Sequence, residues 1–156
     1  MTNNKLRIAA YIRSACGNKE DIIRQETIIM MYCKKYFSNY TIDFYTDTKC
    51  SGITLNKRKA YPILRDKLCN NEYDILIVED ISRLFRKLNE ETVCELNKII
   101  NTKARIIFIN MGYDGIAPEE LLKLFTMIDI TKLNKKVPRL LKRGEIDAKK
   151  LNRRSP

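Results

Sequence analysis

No histidine occurs among the 156 residues, and this absence excludes more than any other feature. Ser-His-Asp hydrolysis, Cys-His proteolysis, histidine-based zinc chemistry and histidine general acid/base catalysis are all closed to this chain acting alone. Any chemistry must come from Ser, Cys, Tyr, carboxylates and arginine. The five cysteines (16, 33, 50, 69 and 94) include no Cys-x-x-Cys pair, and their number is odd. That argues for reduced thiols in a cytosolic protein, with no zinc site or other metal and no disulfide framework. Cys33 and Cys94 fall in helical apolar patterns and are expected in the core. Glycine is scarce and scattered, five in all, so no glycine-rich phosphate loop is evident. The N-terminal Met-Thr-Asn-Asn-Lys has no apolar core behind it, and the longest apolar runs are strand-sized. Neither a signal peptide nor a membrane span is expected.

The length is enough for one domain with a real core, or one domain with an appendage. Charge is lopsided at +11. Most of the excess lies in the last stretch, where Lys132, Lys135, Lys136, Arg139, Lys142, Arg143, Lys149, Lys150, Arg153 and Arg154 face only Glu145 and Asp147. A basic tail on a nearly balanced body suggests a polyanion, most commonly nucleic acid. A solvated tail that keeps the chain soluble is the plainer alternative.

Apolar runs and amphipathic segments alternate along the chain. Arg7 to Ile12 reads as a strand buried on both faces. Lys19 to Phe37 reads as a helix carrying Ile22, Ile29, Cys33, Tyr36 and Phe37, with Glu20 and Asp21 near its start where the helix dipole favours them. Thr41 to Tyr45 alternates and is rich in β-branched and aromatic residues, which makes it a strand. Thr46 to Lys57 has no period and is a loop of functional length. Tyr61, Leu64 and Leu68 mark a short helix with Pro62 in its first turn. Asp74 to Val78 is a buried strand, Glu90 to Ile100 a helix on Val93, Leu96 and Ile100, and Arg105 to Ile109 a fourth strand. Gly112 to Ala117 reads as a turn-rich connection and Pro118-Glu119-Glu120 as a helix start. Beyond Thr131 a weak amphipathic pattern, interrupted by Pro138 and Gly144, predicts a helical extension or a mobile basic arm. The expected division is residues 1–130 and 131–156. Strands alternating with helices predict an α/β fold in three layers, with a mainly parallel sheet of four to five strands and helices on both faces.

Chemistry in such a fold sits outside the carboxyl ends of the strands. Arg13 follows the first strand, Arg58 ends the long loop, and Arg83 and Arg86 follow the third strand. Arg83 and Arg86 are three apart and would point the same way on a helix. Arginine presents a planar fork of donors matched to phosphate oxygens, and four converging on one crevice would suit a phosphodiester and its charge-rich transition state. The competing reading makes each a surface arginine paired with a neighbouring carboxylate such as Glu79 or Asp80.

Tyr11-Ile12-Arg13, Gln25, Asp47, Ser51-Gly52, Arg58 and Ile81-Ser82-Arg83-Leu84-Phe85-Arg86 together resemble the catalytic domain of the serine recombinases, the resolvase/invertase family. The resemblance spans roughly residues 6 to 130 in the right order. It implies a resolvase-like fold and site-specific recombination of double-stranded DNA by a homodimer or homotetramer. In that reaction a serine hydroxyl attacks a phosphodiester to form a phosphoserine link, without metal, cofactor or small-molecule substrate. By position it assigns the scissile phosphate to Arg13, Arg58, Arg83 and Arg86, with Gln25 and Ser51 assisting. Ser82 stands where the family often has aspartate.

The family pattern Tyr-x-Arg-x-Ser places the nucleophile at position 15, and this chain has Ala15. A methyl group cannot attack phosphorus, so the chain as written is expected not to cleave DNA by that route. Three explanations stay open: a Ser-to-Ala change made to trap an inactive protein, a naturally silent relative that binds DNA or a partner as a regulator, or attack by Ser14. Strand alternation turns Ser14 away from the site unless the backbone has already turned. Cys16 is counted a bystander. Either the chain is a catalytic-domain fragment, or the tail, which lacks aromatic residues for base stacking, is a basic arm lying on duplex phosphates. A flavodoxin-like domain with no DNA role is the remaining alternative.

Overall fold

The computed structural model describes residues 4–87 and 89–115. The expected helix at Pro118, the boundary at 130 and the basic extension 131–156 lie outside the described residues.

Five strands form one sheet in the order β2-β1-β3-β4-β5. They are β1 (Leu6–Ser14), β2 (Tyr40–Thr48), β3 (Ile75–Val78), β4 (Arg105–Phe108) and β5 (Tyr113–Gly115). The first four are parallel and β5 is antiparallel to β4. The mainly parallel α/β architecture read from the sequence is therefore present. β5 is a departure from the expected turn-rich connection. A three-residue strand is too short to show a period of two, and it forms because Gly112, at φ +62°, turns the chain back after the 3-10 turn Ile109–Met111. The ion pair of Arg105 with Asp114 and the Phe108–Tyr113 ring contact at 5.9 Å then fasten it.

β1 is the centre of the sheet. Its residues Ile8 to Ser14 are all buried, as expected of a parallel strand covered on both faces. Ile8, Ala10 and Ile12 pack with Ile75, Ile77 and Ile107 against Ile29 and Cys33 of helix α1 (Lys19–Tyr36). The alternate residues face the other way, where Tyr11 meets Tyr61 of helix α2 (Ala60–Cys69) edge to face at 5.7 Å. Helix α4 (Glu90–Ile100) joins α2 on that side, Tyr61 donating its hydroxyl to Glu95. The one-turn helix α3 (Ile81–Leu84) follows β3 directly.

Local chemistry sets the helix ends. Asn18 caps α1 by accepting from the Glu20 N–H, Asp80 caps α3 through the Ser82 N–H, and Asn89 and Thr92 form a reciprocal capping box on α4. Three core expectations fail. Cys94 is exposed, and Val93 and Tyr36 are 36% and 57% exposed. The inner face of α4 is Thr92, Glu95, Leu96 and Ile99, because Glu95 finds Tyr61, Arg65 and Lys98 as partners. A buried carboxylate so satisfied is invisible to an apolar periodicity. Among the described residues no helix is long and apolar enough to cross a membrane.

Ile29→Ala should lower stability by about 2–5 kcal/mol in urea unfolding. Ile23→Ala on the outer side of the same helix, where the side chain is 59% exposed, should change it by less than about 0.5 kcal/mol.

Candidate active site

The carboxyl ends of β1, β2 and β3 open onto the loop after β2 and onto α3. Arg13 is fully buried there, and each of its three nitrogens donates to a backbone carbonyl. Nε bonds Arg83 O at 3.0 Å, Nη1 bonds Cys50 O at 2.9 Å and Nη2 bonds Ser82 O at 2.9 Å. The guanidinium thus clamps the β2 loop to the segment after β3. Burial, and then the charges of Arg58 and Arg86, push Arg13 down to about 10.

Arg58 is 5% exposed. Its Nη1 donates to Leu84 O at 2.6 Å and to the Tyr11 hydroxyl at 3.4 Å, and Nη2 to Ser51 O at 3.1 Å. It lies 5.6 Å from the ring centroids of both Tyr61 and Phe85, and its buried Nε has no hydrogen-bond partner among the described residues. Asp47 fixes this arrangement. Its carboxylate accepts from the N–H groups of Lys59, Ala60 and Tyr61 at 2.7–2.9 Å, capping α2 from β2, and from the Tyr11 hydroxyl at 2.9 Å.

Gly52 brings the third arginine in. Arg86 N–H donates to Gly52 O at 2.8 Å, and a Cβ on Gly52 would lie 2.6 Å from Arg86 Cγ and 2.7 Å from Arg13 Nη2. Only glycine lets the loop pass between the two arginines. The same loop holds Lys49 and Lys57 in left-handed backbone, at φ 55° and 71°, a conformation that costs non-glycine residues energy and clusters at functional sites.

Arg83 does not join the other three. The one-turn α3 ends at Leu84, so Arg86 lies beyond it, and the helical alignment of Arg83 with Arg86 is absent. Arg83 instead reaches toward α1 and pairs with Asp21 and Glu79, which Arg24 also binds. Arg83 thus has carboxylate partners, Glu79 from its own segment and Asp21 from α1, while Asp80 is taken up as a helix cap. Gln25 is buried beside this group, its Nε2 donating to Arg13 O and to Asp21 Oδ2, while its Oε1 has no partner among the described residues. The guanidinium contacts outweigh desolvation and hold the Asp21 carboxyl below its ordinary value.

Ala15 is exposed in the bend just past β1. Ser14 is buried, its Oγ accepting from the Asn18 N–H at 3.2 Å, which places it at the start of α1. Ser51 is exposed, and its Oγ accepts from the Ile53 N–H at 3.0 Å. The Cys50 thiol is buried, donates to Thr48 O and Lys57 O, and is pushed up by burial, all of which make it a poor nucleophile. Cys16 is exposed. Among the described residues no group of three or more acidic or cysteine side chains gathers as a metal site would require.

Sequence reasoning gave no role to Arg24, named Glu79 only as a possible partner of a surface arginine and Asp47 only as part of the family resemblance, and read Asp21 only as a favourable charge for the helix dipole. Asp47 was legible to a degree, as a lone carboxylate ending a strand before a loop that returns to a helix start.

The chain matches the family model described as the resolvase N-terminal domain over residues 8–152. Among solved structures, it is similar to the N-terminal catalytic domain of TP901-1 integrase, with a TM-score of 0.65 and 22% identity, covering 81% of this chain and 96% of that one. It is also similar to a resolvase family site-specific recombinase from Streptococcus pneumoniae, with a TM-score of 0.61, 14% identity and coverage of 93% and 98%. The C-terminal catalytic domain of ISC1926 TnpA, an IS607-like serine recombinase, gives 0.57, 19%, 94% and 98%. At these identities the likeness establishes the fold. No curated protein sequence matches the chain.

Gly52→Ala should displace the Arg86 stem and cost about 1–3 kcal/mol in thermal unfolding. Asp47→Ala, which strips three helix N–H groups and the Tyr11 hydroxyl of their acceptor, should cost at least about 3 kcal/mol in the same assay.

Proposed function

The chain belongs to the resolvase family, and from that premise we propose that its arginine crevice binds a phosphodiester of double-stranded DNA. The proposed activity of the fold is site-specific DNA recombination of the serine type, cleavage and rejoining through a phosphoserine intermediate. One observation carries the reading: among the described residues neither Arg13 nor Arg58 forms an ion pair with a carboxylate, although both are buried. Buried charges are ordinarily paired, because an unpaired one is costly. Two of them side by side, with Arg86 exposed next to them, make a positive well whose natural complement is an anion supplied from outside.

The roles follow from exposure. Arg86 reaches the incoming phosphate, Arg58 and Arg13 set the potential beneath it, and Arg13 also holds the two loops together. Gln25 and Ser51 shape the site, Gln25 by supporting the Arg13 carbonyl. The basic run from Lys132 to Arg154 lies along neighbouring duplex phosphates, and the chain works as a homodimer or homotetramer. The reaction calls for no cofactor and no small-molecule substrate.

Position 15 decides between enzyme and regulator. With Ala15 the family's nucleophile position carries a methyl group, so this chain binds DNA without cutting it by the serine route. Ser14 is not the substitute, because its side chain is buried at the start of α1.

Ala15→Ser, mixed with supercoiled plasmid carrying the element's own recombination sites, should give a covalent protein–DNA product that the Ala15 form does not. A product from the Ala15 form that Ser14→Ala abolishes would overturn this assignment. In salt-titrated gel shifts, Arg86→Ala should weaken duplex binding several-fold and flatten the log–log salt slope by about one. Binding that is absent, or indifferent to salt, would count against a DNA role.

A further inference from the structure

Arg83 is held differently from Arg13 and Arg58, whose guanidiniums meet backbone carbonyls. Asp21 and Glu79 bring two negative charges together, and Arg24 and Arg83 bring two positive ones. Arg24 has the tighter share. Its Nη2 lies 2.8 Å from Asp21 Oδ1 and 3.1 Å from Glu79 Oε2, and its Nη1 bonds Glu79 Oε1. Arg83 touches the same carboxylates only at the outer edge of hydrogen-bonding distance. Its Nε is 3.3 Å from Glu79 Oε2, its Nη1 3.3 Å from Asp21 Oδ2 and its Nη2 3.2 Å from Asp21 Oδ1.

Each carboxylate has hydrogen-bond partners besides Arg83. Without it Asp21 keeps Arg24 and the Gln25 amide at 3.1 Å, and Glu79 keeps Arg24 and the Asn110 amide at 3.4 Å. The Arg13 carbonyl that Arg83 Nη1 touches at 3.2 Å is also served by Gln25. The main chain of Arg83 is fixed separately. Its N–H donates to Asp80 O at 3.0 Å, and its carbonyl accepts from Arg13 Nε. The side chain can rotate without disturbing α3.

We propose that Arg83 is a reserve cation: Asp21 and Glu79 hold it on the α1 side of the sheet end, and a DNA phosphate draws it across to join Arg13, Arg58 and Arg86. This rests on the phosphate-binding reading above. The transfer leaves Asp21 and Glu79 with one guanidinium between them, and that uncompensated charge sets a threshold. A duplex, with phosphates in succession, meets it more readily than an isolated phosphate ion. The contact is thus autoinhibitory: it keeps the crevice short of one cation until nucleic acid is seated.

The test is duplex affinity by fluorescence anisotropy over a series of salt concentrations. Asp21→Asn should bind several-fold tighter than the unaltered chain at an unchanged log–log salt slope, because Arg83 meets a phosphate in both, whereas Arg83→Ala should flatten that slope by about one. Glu20→Gln, which neutralises an exposed carboxylate one residue away, measures the general effect of losing a negative charge and should give a smaller gain with no change attributable to Arg83. Made in the Arg83→Ala background, Asp21→Asn should give no more gain over Arg83→Ala alone than Glu20→Gln does. Glu79→Gln approaches the same contact from its other carboxylate and should behave like Asp21→Asn, with thermal unfolding confirming that each variant is folded. Equal gains from Asp21→Asn and Glu20→Gln, or a gain that persists without Arg83, would overturn the reserve role while leaving phosphate binding intact. An unaltered chain that fails to bind duplex even at low salt would overturn both.

Discussion

A buried guanidinium whose nitrogens, among the described residues, are met only by main-chain carbonyls is the constraint on which this end of the molecule depends. Arg13 closes β1, and its donors tie the loop after β2 to the residues after β3. Carbonyl dipoles solvate the cation without neutralising it, so the charge stays available to an anion that arrives later. Around it Gly52 has lost all room for a side chain, Arg58 is stacked between two aromatic rings, and Asp47 fixes both the Tyr11 hydroxyl and the start of α2. These groups come from three separate stretches of chain and are mutually restraining.

The four arginines divide into two electrostatic settings about one strand end. Arg13, Arg58 and Arg86 lie close enough that the charges of Arg58 and Arg86 lower the Arg13 pKa. Arg83, whose own carbonyl helps solvate Arg13, turns its side chain to the opposite face and into a balanced group of carboxylates and guanidiniums. Strand alternation makes this separation possible, because successive residues of β1 serve different faces. Tyr11 and Arg13 look toward α2, whereas Ile12 packs toward α1 and Ser14 bonds at the start of α1.

Much of the fold was legible because parallel strands and their covering helices leave strong apolar signatures. Ile8 to Ile12 and Ile75 to Val78 are nearly unbroken runs, and Tyr61, Leu64 and Leu68 mark the inner face of α2 as expected. The inner face of α4 was misread because a paired Glu95 occupies a position that a pattern search fills with Val93. β5 escaped because three residues carry no period. At the site, arginines at strand ends could be picked out, but their partners could not. Whether Arg83 faces a carboxylate from its own segment or one from α1 depends on how the layers pack, and no local pattern encodes that.

In the register of the sheet Ile8 lies between Ile42 of β2 and Ile75 of β3, so the first strand made is flanked by partners synthesised much later. Such long-range pairing slows acquisition of the native state. It also imposes an order on biosynthesis: a nascent chain emerging from the ribosome cannot assemble the crevice until Arg86 has left the exit tunnel. The growing polypeptide therefore holds its strand-end arginines unassembled while most of its length is still being translated.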